Sequence, residues 1–557
     1  MDRRLDTRSH PLRAGRRGRW KALALALPAL AFLAVFLAYP LQEILRISFA
    51  RSGGLRPLYE DPYYLERAWF TFWQAGLSAL LTLALALPLG WVLACHTFRG
   101  KATLEALLLV PFVLPTIVVA VAFSALIGPN GSFNDLLTHL PGIDRPPIHL
   151  LDTLWAILLA HVFYNVAFSA RIIASGWRAI DPRTEDAAAM LGAGPVGRFR
   201  WVTLPLLRNS LLAAGSLSFL FCFTSFGVVL ILGGPRFSTI ETEIYRESLF
   251  LFRLPVAAVL ALAQMAMTFA VIGFNTRLQR DLGVQAIRRE PSRFSRTSML
   301  AAVAIVGFVL LLTVAPLVAL VERSFHAGDG YSWRYYRMLD ENVRGQVLFV
   351  APITAVRNSL VIATFTALLA VPLGTLAALG AVRARSTLVE AVIQAPLGVS
   401  AVTLGLGFLI TFDHPPLNLR ASPSLVVLAH TLVAMPFVAR AMAARLRSLD
   451  PRLRDAAAML GANPIATFVQ VELPLLGGAL ALGAVLSFAA SMGEFGATLL
   501  IARPEYPTIP VAIYRYLGQP GATNYGQALA MSSILMAVTA VGFFAIERGL
   551  GRRGTGF

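Results

Sequence analysis

The stretch DPRTEDAAAMLGAGPVGRFRWVTLPLL, Asp181 to Leu207, returns as DPRLRDAAAMLGANPIATFVQVELPLL, Asp450 to Leu476. Every aligned pair lies 269 positions apart without a gap, and each copy sits between long apolar runs. A repeat at a fixed period is read first, because it governs the architecture around it. Each copy predicts a short surface helix with its own start and stop signals. Asp181 and Asp450 suit the N-cap, and Pro182 and Pro451 suit the first helical position. Asp186 and Asp455 add negative charge early, where the helix dipole favours it, and the Ala-rich run that follows has high helix propensity. Gly192 and Gly461 can take the left-handed conformation that ends a helix. Nine residues later V-x-L-P, Val202 to Pro205 and Val471 to Pro474, leads into the next apolar run.

The apolar runs set the class. Hydrophobic residues make up 57% of the 557 residues and charged ones 14%, at a mean hydropathy of +0.67. That is too apolar for a soluble enzyme of this size and reads as an all-α integral membrane protein. The formal net charge of +18 is almost all arginine, since Lys21 and Lys101 are the only lysines. Arginine on the cytoplasmic flanks of membrane helices accounts for it better than nucleic-acid binding does. Cys95 and Cys222 fall in apolar segments as small hydrophobes, with no disulfide framework or metal-ligand spacing around them.

Twelve spans are predicted. Those of the first half lie near residues 21–40, 70–95, 105–127, 152–175, 204–232 and 254–276. Those of the second lie near 299–321, 355–381, 388–411, 423–445, 473–502 and 525–546. Residues 1–20 form an Arg-rich tail with seven arginines from Arg3 to Arg19, which places it in the cytoplasm. No small-residue cleavage site follows the first span, so it reads as a retained helix. A first lobe at 21–276 then carries the repeated loop at 181–205, and a second lobe at 299–547 carries the loop at 450–474. A cytoplasmic linker at 277–298 joins them, and a cytoplasmic tail at 548–557 follows. Six spans separate the two loops, so both face the same side.

The repeat extends beyond the loops. His161 matches His430, Arg171 matches Arg440, and Phe226-Gly227 matches Phe495-Gly496 at the same offset. Upstream, PLG at 88–90 corresponds to PLG at 372–374, now 284 apart. The shift is most simply a longer outside loop early in the second half, or a shorter one before the first repeated loop. A parallel duplication of this kind builds two lobes of six helices around a pseudo-two-fold axis normal to the membrane, with the substrate pathway between them.

Few residues offer chemistry. A phosphate-binding loop needs G-x-x-x-x-G-K-[ST]. Lys21 lacks the glycines, and around Lys101 the first Gly position is Cys95 and the last is Ala102. Glu494, in SMGEFG, is the one acid deep in a predicted span of the second half, and its repeat partner is Ser225. An intramembrane acid is a functional candidate by default. Glu494 either lines a substrate pathway or makes a packing hydrogen bond. Phe226 and Phe495, beside Ser225 and Glu494, either stack on an aromatic ligand or pack the helices. His161 and His430 read as helix–helix hydrogen bonds rather than titrating groups.

The repeated stretch resembles the EAA motif of ABC-importer permeases: Glu-Ala-Ala, three residues, Gly, nine residues, then Ile-x-Leu-Pro. Asp186-Ala187-Ala188 to Gly192 and Asp455-Ala456-Ala457 to Gly461 fit that spacing, with Asp replacing Glu and Val replacing Ile. The resemblance implies a cytoplasmic loop whose short helix docks into a groove on an ATPase. Small alanines would allow close approach, and Met190, Leu191, Met459 and Leu460 would supply apolar anchors.

The whole chain resembles a fused, two-lobed type I ABC-importer permease, and within that class the ferric-iron and thiamine group. TFWQAGLSALLT at 71–82, LLAHVFYNVAFSARII at 158–173 and LGGPRFSTIETEIYR at 232–246 are similar to thiamine permeases. SMGEFGATLL at 491–500 is similar to oxyanion permeases. The resemblance implies a bacterial inner-membrane complex with two ABC ATPase subunits and an external solute-binding protein, embedded in lipid and without nucleic acid. ATP and Mg would sit on the partner ATPase, and this chain would bind no cofactor of its own. The implied cargo is thiamine or thiamine diphosphate, with iron(III) the alternative.

Two other classes make different demands. A secondary transporter would usually show paired intramembrane charges or Gly/Pro-broken spans, and only Glu494 is a candidate. A membrane enzyme would need a nucleophile, His and acid clustered at one membrane face, and the sequence shows no such cluster.

Overall fold

The computed structural model describes residues 16–51, 56–143, 145–279, 296–328, 330–342, 347–415 and 417–551. The expected tails and linker lie outside these for residues 1–15, 280–295 and 552–557. Apolar stretches free of turn-forming clusters fold as helices, which satisfy every backbone N–H and C=O within one segment where no water is at hand. The first half runs α1 (Arg16–Leu33), α2 (Tyr39–Arg51), α3 (Pro62–Cys95), α4 (Lys101–Val113), α5 (Thr116–Ile127) and α6 (Leu154–Arg178). It continues through α7 (Pro182–Met190), α8 (Leu204–Phe223), α9 (Gly227–Leu232), α10 (Ile240–Leu249) and α11 (Leu254–Gln279).

The second half repeats this order, with α12 (Arg296–Phe325) standing where α1 and α2 stand together. A two-stranded antiparallel hairpin, β1 (His326–Ala327) and β2 (Gly330–Tyr331), follows it with His326 opposite Tyr331. Then come α13 (Pro352–Ala384), α14 (Thr387–Gln394), α15 (Ala401–Thr411), α16 (Ser424–Ser448) and α17 (Arg452–Met459). The chain closes with α18 (Leu473–Gly493), α19 (Gly496–Ile501), α20 (Ile509–Leu517) and α21 (Ala522–Gly551).

Among the described residues, 11 helical stretches are long and apolar enough to cross a membrane. Counting the pair Thr387–Gly398 and Ala401–Thr411, bent by 91°, as one broken span brings the number to 12. Six plus six therefore stands, but four spans expected to be continuous are interrupted. The predicted span 105–127 breaks between α4 and α5, and 388–411 breaks between α14 and α15. Likewise 204–232 breaks before α9, and 473–502 breaks before α19. At the first break Pro115 has no N–H and disfavours helix in the residue before it; Leu114 is extended, with ψ 140°. At the second, the Ser400 hydroxyl accepts the N–H of Thr403 at 3.1 Å and starts α15 afresh. Hydropathy cannot see these breaks, because the residues on both sides are apolar. Broken spans, reserved in the sequence reading for a gradient-driven carrier, are thus present in both halves.

The register shift also falls elsewhere than expected. Thr116 and Ile127 of α5 pair with Ala401 and Thr411 of α15, and Leu154 of α6 already pairs with Ser424 of α16. The whole shift is taken up at 128–153, where the first half carries an extra short helix, Ser132–Thr138. The repeated PLG has a packing cause. A Cβ on Gly90 would lie 2.9 Å from Ile173, and one on Gly374 would lie 2.7 Å from Val438. Glycine is needed where α3 crosses α6 and where α13 crosses α16.

The first helix of each half packs across the molecule. Leu25 of α1 joins the core that Ala378, Val438 and Met442 build in the second half. A Cβ on Gly380 of α13 would come within 2.7 Å of Ala26, so α1 lies close against that helix. Reciprocally, Val309 and Leu310 of α12 join the first-half core around Leu89, Leu93 and Ile173. The repeat divides the sequence in two, and the packing exchanges one helix between the halves.

Candidate coupling surface and central cavity

The two repeated loops fold as their local signals require. The Asp181 carboxylate accepts the N–H of Arg183 at 3.0 Å, and that of Asp450 accepts the N–H of Arg452 at 2.9 Å. Helices α7 and α17 then end on left-handed glycines, Gly192 at φ 86° and Gly461 at φ 84°. In each, the glycine N–H and the next N–H turn back to Ala189 and Ala188, or to Ala458 and Ala457, all at 3.0 Å. This double bond is the Schellman closure, and it fixes the residues just before it at the tip. Met190 and Leu191 are 90% and 89% exposed there, and Met459 and Leu460 are 90% and 89% exposed. Asp186, Ala187, Asp455 and Ala456 are exposed on the same helices, whereas Ala188 is half-buried and Ala457 buried.

Behind each tip the chain makes one π turn, Phe199–Thr203 and Phe468–Glu472, before the Leu-Pro that opens the next span. Pro205 and Pro474 have no N–H to give, and the preceding Leu204 and Leu473 bond back five residues, to Phe199 and Phe468. The side chains that hold the helix against this turn differ between the halves. Thr203 donates its hydroxyl to Glu185 at 2.7 Å. In the second half Arg454 and Arg383 close on the two oxygens of buried Glu472.

The four helix breaks meet at one cavity of about 460 Å³, bounded by Thr116, Ser225, Phe226, Ser400, Glu494 and Phe495. All four residues expected on the pathway are thus brought together. Phe226 and Phe495 are buried, with ring centroids 5.6 Å apart, and Tyr245 and Tyr514 lie against them at 5.7 and 5.6 Å. The two phenylalanines pack on each other across the repeat.

Glu494 is engaged within the protein. Its carboxylate accepts the N–H groups of Ala497 at 2.8 Å and Thr498 at 2.9 Å and the Thr498 hydroxyl, so it caps α19. His430 Nε2 lies 3.2 Å from the same carboxylate. His430 also ties α16 to α18 through Ser491 at 2.7 Å, and His161 ties α6 to α3 through Ser78 at 2.9 Å.

Sequence reasoning passed over Glu241. Helix α10 buries three acids, Glu241, Glu243 and Glu247, where the repeat has Pro510, Ala512 and Tyr516. Glu243 meets the Tyr63 hydroxyl at 2.7 Å and Arg246 at 3.1 Å. Glu247 meets the Tyr64 hydroxyl at 2.8 Å and Arg253 at 2.8 Å. Glu241 instead lines the cavity, with Gln264 Nε2 at 3.3 Å. Three acids within one ten-residue helix that is otherwise anchored by Ile240, Ile244 and Tyr245 were the available signal.

Residues 370–553 match the family described as the binding-protein-dependent transport system inner membrane component. The chain is 28% identical to the thiamine transport system permease protein ThiP of Salmonella typhimurium over 543 residues, 95% of each chain. The ThiP of Haemophilus influenzae is 29% identical over 523 residues, 91% of this chain and 94% of that one. A solved bacterial alginate ABC transporter, in complex with an alginate pentasaccharide-bound periplasmic protein, is similar over 49% of this chain and 98% of that one. Its identity is 18% and its TM-score 0.41. With two halves in register, each carrying an exposed loop of one shape, the chain is similar to importer permeases along nearly its whole length, and its residues 370–553 match the membrane component of such transport systems.

Proposed function

We propose that this chain forms the membrane pathway of a thiamine importer, driven by two ABC ATPase subunits and loaded by an external solute-binding protein. The cargo assignment follows the named function of its relatives. The machine assignment rests on one observation above all, the twin tips. Two large apolar side chains nearly in the open, at the same place in both repeats, have no folding role and read as a docking surface.

In this reading α7 and α17 each seat a Met-Leu tip in one ATPase, with Asp186-Ala187-Ala188 and Asp455-Ala456-Ala457 along the contact. Both loops and both termini face the cytoplasm. Mg-ATP bound between the ATPases draws the loops at 181–205 and 450–474 together and turns the lobes, 21–276 and 299–547, toward the outside. Hydrolysis releases them, and cargo passes the cavity at Ser225, Phe226, Glu494 and Phe495. Such a cycle is a population shift driven by ATPase contacts that differ between the two states.

ATPase activity of the reconstituted complex tests both assignments. The expected result is stimulation by the binding protein loaded with thiamine. Stimulation by an Fe(III)-loaded protein alone would keep the machine and overturn the cargo. Failure of the chain to associate with any ATPase would overturn the machine.

A further inference from the structure

One row of residues marks the lipid-facing side of α3. Trp69, Trp73, Leu80, Leu87 and Trp91 follow at spacings of four, seven, seven and four, which keeps them on one face of the helix. Trp69 and Leu80 are 68% and 66% exposed, as large apolar side chains are where hydrocarbon covers them. Trp69 and Trp91 stand 22 residues apart, about 33 Å along a helix, close to the thickness of a bilayer's hydrocarbon core. Tryptophan collects at both edges of that core, so Trp91 marks the level of the inner headgroups.

At that level Leu87 and Trp91 border a second cavity, of about 480 Å³, which reaches under the coupling loop. Trp177 and Phe199 wall it with stacked rings 6.2 Å apart, and Arg198 and Glu185 add one charge of each sign. Arg198 Nε is buried and has no hydrogen-bond partner among the described residues. A buried donor left unmet is costly, and a ligand that brings an anion to it relieves the cost. The matching place in the second half is built differently. Thr375, Leu446 and Thr467 stand where Trp91, Trp177 and Arg198 stand, and Arg383 and Arg454 close on Glu472. Arg383 thereby ties α13 to its coupling loop, whereas its counterpart Arg99 is exposed.

Charge and position together name the ligand. The head of a phosphatidylethanolamine carries a phosphate for Arg198 and a primary ammonium for Glu185, and the ring faces around them attract the ammonium. A glycerol head has no ammonium, and a choline head has no N–H to donate. Leu87 and the apolar row beyond it offer the acyl chains a surface to lie on.

We infer that the cavity beside Trp91 binds one phosphatidylethanolamine from the inner leaflet, and that the bound head braces α7 as the Arg383–Glu472 pair braces α17. The inference rests on the reading that the repeated loops are cytoplasmic, but its test needs neither ATPase nor cargo, so the two fail separately.

Native mass spectrometry of the purified full chain, titrated with phosphatidylethanolamine in detergent, tests it. The first lipid retained should bind saturably, and Arg198→Gln should weaken it about tenfold or more. Arg200→Gln removes an exposed arginine that does not line the cavity, and should leave affinity within about twofold. Phosphatidylglycerol and phosphatidylcholine should each bind about tenfold more weakly. Soluble glycerophosphoethanolamine, which has the head without the chains, should not compete. Unchanged affinity in Arg198→Gln overturns the inference, as do matching losses in the two variants, equal binding of the three lipids, or competition by the soluble head. If Arg198→Gln does not fold, Glu185→Gln carries the test: it should abolish the preference for phosphatidylethanolamine over phosphatidylglycerol, and a preference left intact is equally contrary. The brace has its own readout. Adding phosphatidylethanolamine to the wild-type chain should slow hydrogen exchange across α7 and not across α17, and equal or absent slowing would overturn it.

Discussion

In the first half Thr203 donates its hydroxyl to Glu185, and 269 residues further on Glu472 stands at the same place and takes both Arg454 and Arg383. Glu185 and Arg454 are themselves repeat partners, so the acid has moved from the coupling helix to the turn behind it. The tips these contacts support are nevertheless alike, with the same Schellman closure and the same exposed Met-Leu pair. What the two halves share is the shape and exposure of the tip, while the polar contact that steadies it is free to differ. A duplicated surface with unlike supports is expected when both copies meet the same kind of partner and each support meets only its own half.

The largest effect should come from breaking the shared feature. Gly192→Pro and Gly461→Pro put a residue fixed near φ −65° where the backbone stands at 86° or 84°, and remove the N–H that closes the helix. Each should lower uptake into proteoliposomes about a hundredfold or more, with the chain still inserted. Retained uptake in either variant would show that the two tips do not carry equal weight.

The supports should then separate the halves. Glu472→Ala leaves two partly exposed guanidinium groups without their acid and should cost about 2–3 kcal/mol, read as loss of hydrogen-exchange protection across α17. Thr203→Val removes one hydroxyl bond to a half-buried acid and should cost about 1 kcal/mol across α7. Equal losses would contradict the difference drawn between the two supports. The smallest effect belongs to the exchange. Glu185→Arg combined with Thr203→Glu installs the second-half arrangement in the first, and should recover roughly 1 kcal/mol relative to the sum of the single variants. Additive losses would mean that this pair needs its third member, Arg383, to work.

The tips were legible from sequence because every part of them is local: an Asp cap, a Pro, an Ala-rich turn and a left-handed Gly within twelve residues. The number of crossings was legible for a similar reason, since length and hydropathy report it. The breaks at Leu114, Ser225, Val399 and Glu494 were not, because each turns on one or two residues, Pro115, Ser225, Ser400 or Glu494, set between apolar runs that hydropathy averages into one span. The cap made by Glu494 was within reach, with its N–H partners only three and four residues ahead. It was obscured by reading the segment as one continuous helix. Glu241 was passed over because its segment read as an outside connection, and only tertiary packing turns that helix into the cavity wall. The crossing of α1 and α12 between the halves has no sequence signal at all, since a period gives spacing and not partners.

Cross-linking tests the central claim most directly. Cys95 and Cys222, both buried, are the only cysteines and can be replaced, and Met190→Cys or Met459→Cys then places a single thiol on one tip. In the complex with ATPase, each position should cross-link to an ATPase subunit, in comparable yield and with a response to ATP. Cross-linking at neither tip, or at one alone, would contradict the account of two equivalent coupling surfaces.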